Sequence, residues 1–180
     1  MLLKLPLYII TTIIVSLYYF PLGIRVLPSM TTKTLMAVIG LILIVFRQSV
    51  GDKLDIKKDT YTLVGWASGV SLMGLISVTI NDTPDYTYVT YIISMLVWVS
   101  AAYFVCQCIK MIHGYVSFEL LGNYLVAVCV VQCILALLID YIPAVRAFAI
   151  YIMGPQDWLE EVNRLYGIGA TLDTAGLYWL

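Results

Sequence analysis

"LGNYLVAVCVVQCILALLIDYI", residues 121–142, holds no lysine or arginine and a single carboxylate, Asp140, within a turn of its end. As an α-helix rising about 1.5 Å per residue, such a run crosses the ~30 Å hydrocarbon core of a bilayer. In lipid every backbone N–H and C=O must be satisfied inside the segment, which a helix achieves and a lone strand does not. A barrel strand would alternate apolar and polar residues over about ten positions, and this run does not. "YVTYIISMLVWVSAAYFVCQCI" (88–109) and "TYTLVGWASGVSLMGLISVTI" (60–80) read the same way. The whole chain agrees: 62% of its residues are hydrophobic and 12% charged, against roughly 45–50% and about 25% in soluble domains.

Two earlier runs complete an expected set of five spans in an all-α, polytopic membrane protein. "LPLYIITTIIVSLYYF" (5–20) follows Lys4 and resembles a secretory signal, but "PLGIRVLPSM" follows in place of a small-residue cleavage site, so an uncleaved span over about 2–20 is expected. "TLMAVIGLILIVF" (34–46) is short by itself. It reaches a full span, 29–46, if Pro28 opens the helix and Lys33 extends to the interface. The chain 1–180 is thus read as one transmembrane helical domain with spans at about 2–20, 29–46, 60–80, 88–109 and 121–142.

Orientation comes from the loops. "RQSVGDKLDIKKD" (47–59) carries Arg47, Lys53, Lys57 and Lys58, whereas "NDTPDYT" (81–87) carries no cation. The positive-inside rule places the first in the cytoplasm and the second outside. Lys4 and the N-terminus then fall inside, as does the turn at 110–119. Everything after the fifth span falls outside. A net charge of −1 gives no basic field for nucleic acid, which is excluded as a partner class.

Polar residues within the spans are few. Cys106, Cys108, Cys129 and Cys133 lie in apolar runs with no histidine at ligand spacing, so they read as small packing residues and no metal site is expected. Gly65 and Gly69 form a G-x-x-x-G face suited to close helix packing. Gln107, Gln132 and Asn123 are suited to hydrogen bonds between helices. Asp140, near the outer end of its span, can reach water. His113, the only histidine, sits in "KMIHGY" (110–115) and reads as a solvated turn residue with no catalytic partner. Glu160 and Glu161 project at different angles from a helix and read as a solvated face.

Beyond Pro143, "AVRAFAIYIMG" (144–154) is too short to span, and "PQDWLEEVNRLYG" (155–167) suits a short interfacial helix opened by Pro155. The outer-face segment 144–176 ends in "NRLYGIGATLDTAG" (163–176). A dinucleotide fingerprint fails there, because Leu172 stands where the third glycine belongs. Arg164 followed by Gly167 and Gly169 can set a guanidinium beside backbone N–H groups, a seat for a phosphate or pyrophosphate oxygen. The same residues also read as an ordinary interfacial arginine meeting lipid phosphate before a loop.

On "NRLYGIGATLDTAG" and the series of apolar spans before it, the chain resembles the N-terminal portion of the bacterial O-antigen polymerase and O-antigen ligase family. The resemblance implies a multi-pass protein of the bacterial plasma membrane. It implies transfer of a glycan from an undecaprenyl-pyrophosphate carrier to an acceptor sugar at the outer face, with the pyrophosphate as leaving group. Arg164, Gly167 and Gly169 would bind that pyrophosphate. Lipid-linked oligosaccharide, membrane lipid and other polysaccharide-assembly membrane proteins are the implied partners, and no metal or other cofactor is required. Catalytic residues are left unassigned, since the family's large outer loop would lie past residue 180. "AGLYWL" (175–180) reads as the opening of a sixth helix, so a fragment of a longer chain, inactive alone, is expected. The competing expectation is a non-enzymatic polytopic protein, a transporter half or an assembly partner.

Overall fold

The computed structural model describes residues 5–24, 27–51 and 58–153, and these are almost entirely helical. In chain order they form α1 (Leu5–Tyr19), the strands β1 (Gly23–Ile24) and β2 (Leu27–Thr31), α2 (Thr32–Ser49), α3 (Lys58–Asn81), α4 (Tyr91–His113), α5 (Phe118–Tyr141) and α6 (Pro143–Met153). Four of them, α2 to α5, are long and apolar enough to cross a membrane, and α1 is a shorter apolar helix. Large apolar side chains point away from the protein along them, among them Trp66, Leu72, Met73 and Ile80 on α3. So much exposed apolar surface would be a liability in water. The arrangement is consistent with a membrane protein.

The structure departs from the expected boundaries at the first connection. Pro28 does not open α2; it lies in β2, which pairs antiparallel with β1 through Gly23 opposite Thr31 and Ile24 opposite Leu27. A proline lacks the N–H that an interior strand needs, but a two-stranded hairpin has only edges. Helix α2 begins instead at Thr32, and its hydroxyl explains the position. Thr32 Oγ1 accepts from the Leu22 amide at 3.0 Å and donates to the Leu17 carbonyl at 3.1 Å, while the Thr32 amide donates to the Leu22 carbonyl at 2.9 Å. One threonine thus satisfies groups left over at the end of α1 and the start of the hairpin.

The chain divides into two compact units, Thr34–Phe104 and the segments on either side of it. In the first, the buried side of α2 is Met36, Ala37 and Gly40, and α4 contributes Ser100, Ala101 and Tyr103. A Cβ added to Gly40 would run into the Ser100 carbonyl oxygen and sit 3.4 Å from the Phe104 Cβ, so α2 and α4 touch backbone to backbone through small residues. Helix α3 ends at Asn81, followed by Asp82 at φ 49, a left-handed stop. Its buried Ser71 Oγ accepts from the Ile92 amide, in the first turn of α4, at 2.9 Å. That amide has no acceptor within its own helix. Ser71→Ala is therefore expected to lower stability by about 1–3 kcal/mol, the cost of orphaning a buried donor, read as a lower midpoint in reversible unfolding from mixed micelles.

In the other unit the buried positions of α5 are Tyr124, Val128, Gln132, Ala136 and Ile139, a helical stripe at spacings of four and three. Helix α5 contacts α1, whose buried residues are Thr11 and Val15. Gln132 Nε2 donates to Ser16 Oγ at 3.4 Å, the interhelical role expected of this glutamine, whereas Asn123 lies on the exposed side. Pro143 ends α5 and opens α6, with Ile142 between them at φ −117 and ψ 105, because a residue before proline is pushed out of the helical region.

Candidate functional site

Arg164, Gly167 and Gly169, the residues the sequence offers as a pyrophosphate seat, lie outside the described residues, as does the interfacial helix expected from Pro155. Gly65 and Gly69 are described, and among the described residues no neighbour approaches them. Both lie on an exposed face of α3 with nothing within 4 Å of an added Cβ. A G-x-x-x-G pattern states that a backbone could approach, not that one does. The close approaches in that unit are at Gly40 and at Gly74, where an added Cβ would meet the Tyr88 backbone at 2.9 Å.

His113 corrects a second expectation. It is the last residue of α4, half-buried, and not a solvated turn residue. Gly114 follows at φ 80 and its amide donates to the Lys110 carbonyl at 2.7 Å, a helix stop that a side chain at this position would strain. Three residues on, Ser117 caps α5: its backbone is extended and its Oγ accepts from the Leu120 amide at 3.1 Å. This tight reversal brings His113 Nε2 within 3.0 Å of Tyr124 Oη. The imidazole also packs on Tyr8 of α1, ring centroids 5.3 Å apart, and on Tyr115 of the turn at 6.4 Å. Its polar partner is the phenol of buried Tyr124 and not a carboxylate. The cluster therefore has the parts of a tie between α1, α4 and α5 and lacks those of a catalytic triad. Spacing along α5 carried the missing signal: Tyr124 heads the apolar stripe that continues through Val128 and Ala136, so a partner for its hydroxyl had to lie near the α4–α5 turn.

Other polar groups are individually engaged. Arg47 Nη1 donates to Tyr103 Oη at 3.4 Å, and Lys33 Nζ stands 5.0 Å from the Tyr18 ring centroid, a cation–π distance. In the connection after α3, the Thr87 hydroxyl and the Thr87 amide, the latter 3.0 Å from Oδ1, hold the exposed Asp85 carboxyl below the usual carboxylate range. Asp140 is exposed near the end of α5. The four cysteines are free and half-buried. Among the described residues no group of His, Cys, Asp and Glu is placed to hold a metal ion. Comparisons with known protein families, with curated proteins and with solved structures give no match for this chain.

Proposed function

We propose that this chain is a multi-pass protein of the bacterial plasma membrane, N-terminus in the cytoplasm, that takes part in assembling a surface polysaccharide. In this reading it moves a glycan from a lipid pyrophosphate carrier to an acceptor sugar at the outer face. The observation that carries the reading is "NRLYGIGATLDTAG" (163–176), which sets Arg164, Gly167 and Gly169 directly after the series of apolar segments. A guanidinium at headgroup depth matches two pyrophosphate oxygens in a planar fork. As the glycosidic bond breaks, negative charge grows on the departing pyrophosphate, and a cation already in place stabilises that charge more than it stabilises the substrate.

The direction of the first and fifth helices supports the multi-pass part of this reading. Tyr8 of α1 lies by His113, which bonds Tyr124 of α5, and Ser16 of α1 bonds Gln132. Eight residues along one helix match eight along the other, so α1 and α5 run parallel. A five-span reading of the sequence expects its first and fifth helices to share a direction. In this reading α1, a helix of fifteen residues, is the first span.

Deleting the gene in its own host tests the function. Long-chain surface polysaccharide is expected to disappear from gels of whole-cell extracts while carrier-linked repeat units accumulate. Unchanged chain lengths reject the reading, and loss of polymer that the intact protein cannot restore in a purified lipid-linked system points to a non-enzymatic assembly partner.

A further inference from the structure

The turn between α4 and α5 is apolar where a water-facing turn would be polar. Met111 is 86% exposed, Tyr115 59% and Phe118 93%, with Val116 beside them. Exposed apolar side chains along the middle of a span need no account beyond lipid, but these four stand at or beyond the helix ends. The turn is also held in one shape, by the Gly114 stop, the Ser117 cap, the His113–Tyr124 hydrogen bond and the Tyr8 and Tyr115 rings around the imidazole. Fixing a short turn this firmly presents its outward side chains without an ordering cost on binding.

We infer that this turn is a membrane-interface anchor: Met111, Tyr115 and Phe118 insert among the lipid headgroups and upper acyl chains of the leaflet in which the α4–α5 hairpin turns. The inference rests on the reading that these helices cross a bilayer, and holds for either orientation. Three features select lipid over a protein partner. The apolar side chains stand at the end of a helix–turn–helix reversal, with Met111 and Phe118 almost fully exposed. Farther along α5, at helical spacing from Phe118, Val126 and Val130 are exposed as well. The turn's composition is that of an interfacial belt, a tyrosine with a wettable hydroxyl among apolar residues, flanked by Lys110 and by exposed Glu119 at headgroup reach. The lengths agree. Helix α5 has 24 residues, about 36 Å at 1.5 Å each, against a core of ~30 Å. With Phe118 at one boundary, Asp140 emerges about 33 Å away at the other, beside exposed Tyr141, where a carboxylate reaches water. An anchored turn therefore fixes how deep the helix pair sits.

The test places a nitroxide at Phe118→Cys in the full chain, with the four native cysteines replaced by alanine, reconstituted in phosphatidylcholine vesicles. Collision rates are read with oxygen, which concentrates in lipid, and with a neutral nickel chelate, which stays in water. Oxygen collisions exceeding nickel collisions at 118, as they do at a Val130→Cys reference in mid-span, are the expected result. Nickel collisions exceeding oxygen at 118 with a lipid signature at 130 overturn the anchor and leave the membrane reading intact. Low collisions with both at 118 show that protein, a second copy or another subunit, covers the turn, and overturn it equally. A water signature at 130 removes the membrane reading and the anchor together. Should the cysteine-free chain not fold, trifluoromethylphenylalanine at 118 in the otherwise native chain reports the same two collisions through fluorine relaxation, with the same outcomes.

Discussion

Arg164→Ala is expected to abolish surface polymer while the protein accumulates in the membrane at its normal level. In the proposed reaction the leaving group is a pyrophosphate, and the charge that develops on it must be met by something fixed in place before the bond breaks. Removing a single preorganised donor to such a charge typically costs about 10²- to 10³-fold in rate. Each extension competes with release of the growing chain, so slowing extension by that factor shortens the chains, and a gel would show short chains or none. Arg164→Lys keeps the charge but loses the planar fork, and is expected to restore chain length only in part. Both variants are read by gel electrophoresis of the polysaccharide and by immunoblot of the membrane fraction. Unaltered polymer in Arg164→Ala would reject the pyrophosphate role and return the residue to an ordinary interfacial arginine. A variant missing from the membrane is separated from that result by the blot.

How much of this protein could be read from its sequence differs by feature, and the difference is physical. The long apolar helices α3, α4 and α5 were legible because lipid leaves the backbone few alternatives over such runs. Their ends were less so. Residues 88–90 belong to the approach to α4, whose first turn borrows the Ser71 hydroxyl from another helix, a long-range contact that no local pattern announces. The hairpin over Gly23–Thr31 was missed for a related reason: Pro28 is as good a helix opener as a strand-edge residue, and the choice falls to Thr32, whose hydroxyl has acceptor and donor duties toward Leu22 and Leu17. His113 looked solvated because it sits in a short turn beside Gly114 with no chemical partner near it in the chain, yet its environment is set by Tyr8 and Tyr124, which chain separation hides. The residues that carry the functional reading, Arg164, Gly167 and Gly169, are read from chemistry and spacing alone.

Gly40 is where the largest loss of folded protein is expected. An added Cβ there meets the Ser100 carbonyl oxygen and lies 2.8 Å from the carbonyl carbon, both backbone atoms of α4 that no rotamer change can move aside. Helices in lipid gain no hydrophobic energy from touching one another, so their association depends on close packing and hydrogen bonds. Pushing α2 and α4 apart removes that packing along the buried stripe of Met36, Ala37 and Gly40, and it strains Arg47 Nη1, 3.4 Å from Tyr103 Oη on the same two helices. Gly40→Ala is expected to destabilise by about 1–3 kcal/mol, the range for overpacking. Gly40→Val, with two further carbons, is expected to leave little monodisperse protein in detergent. The helix itself gains from both replacements, since glycine is the poorest ordinary helix former by about 1 kcal/mol relative to alanine, so any loss is attributable to the contact with α4. Gly65→Ala and Gly69→Ala on α3 provide the opposite sign: with open space at both positions the propensity gain stands alone, and these variants are expected to melt at or slightly above the parent temperature. Equal destabilisation at 40, 65 and 69 would show that the G-x-x-x-G face of α3 is packed in the membrane after all, and that a partner helix covers it there.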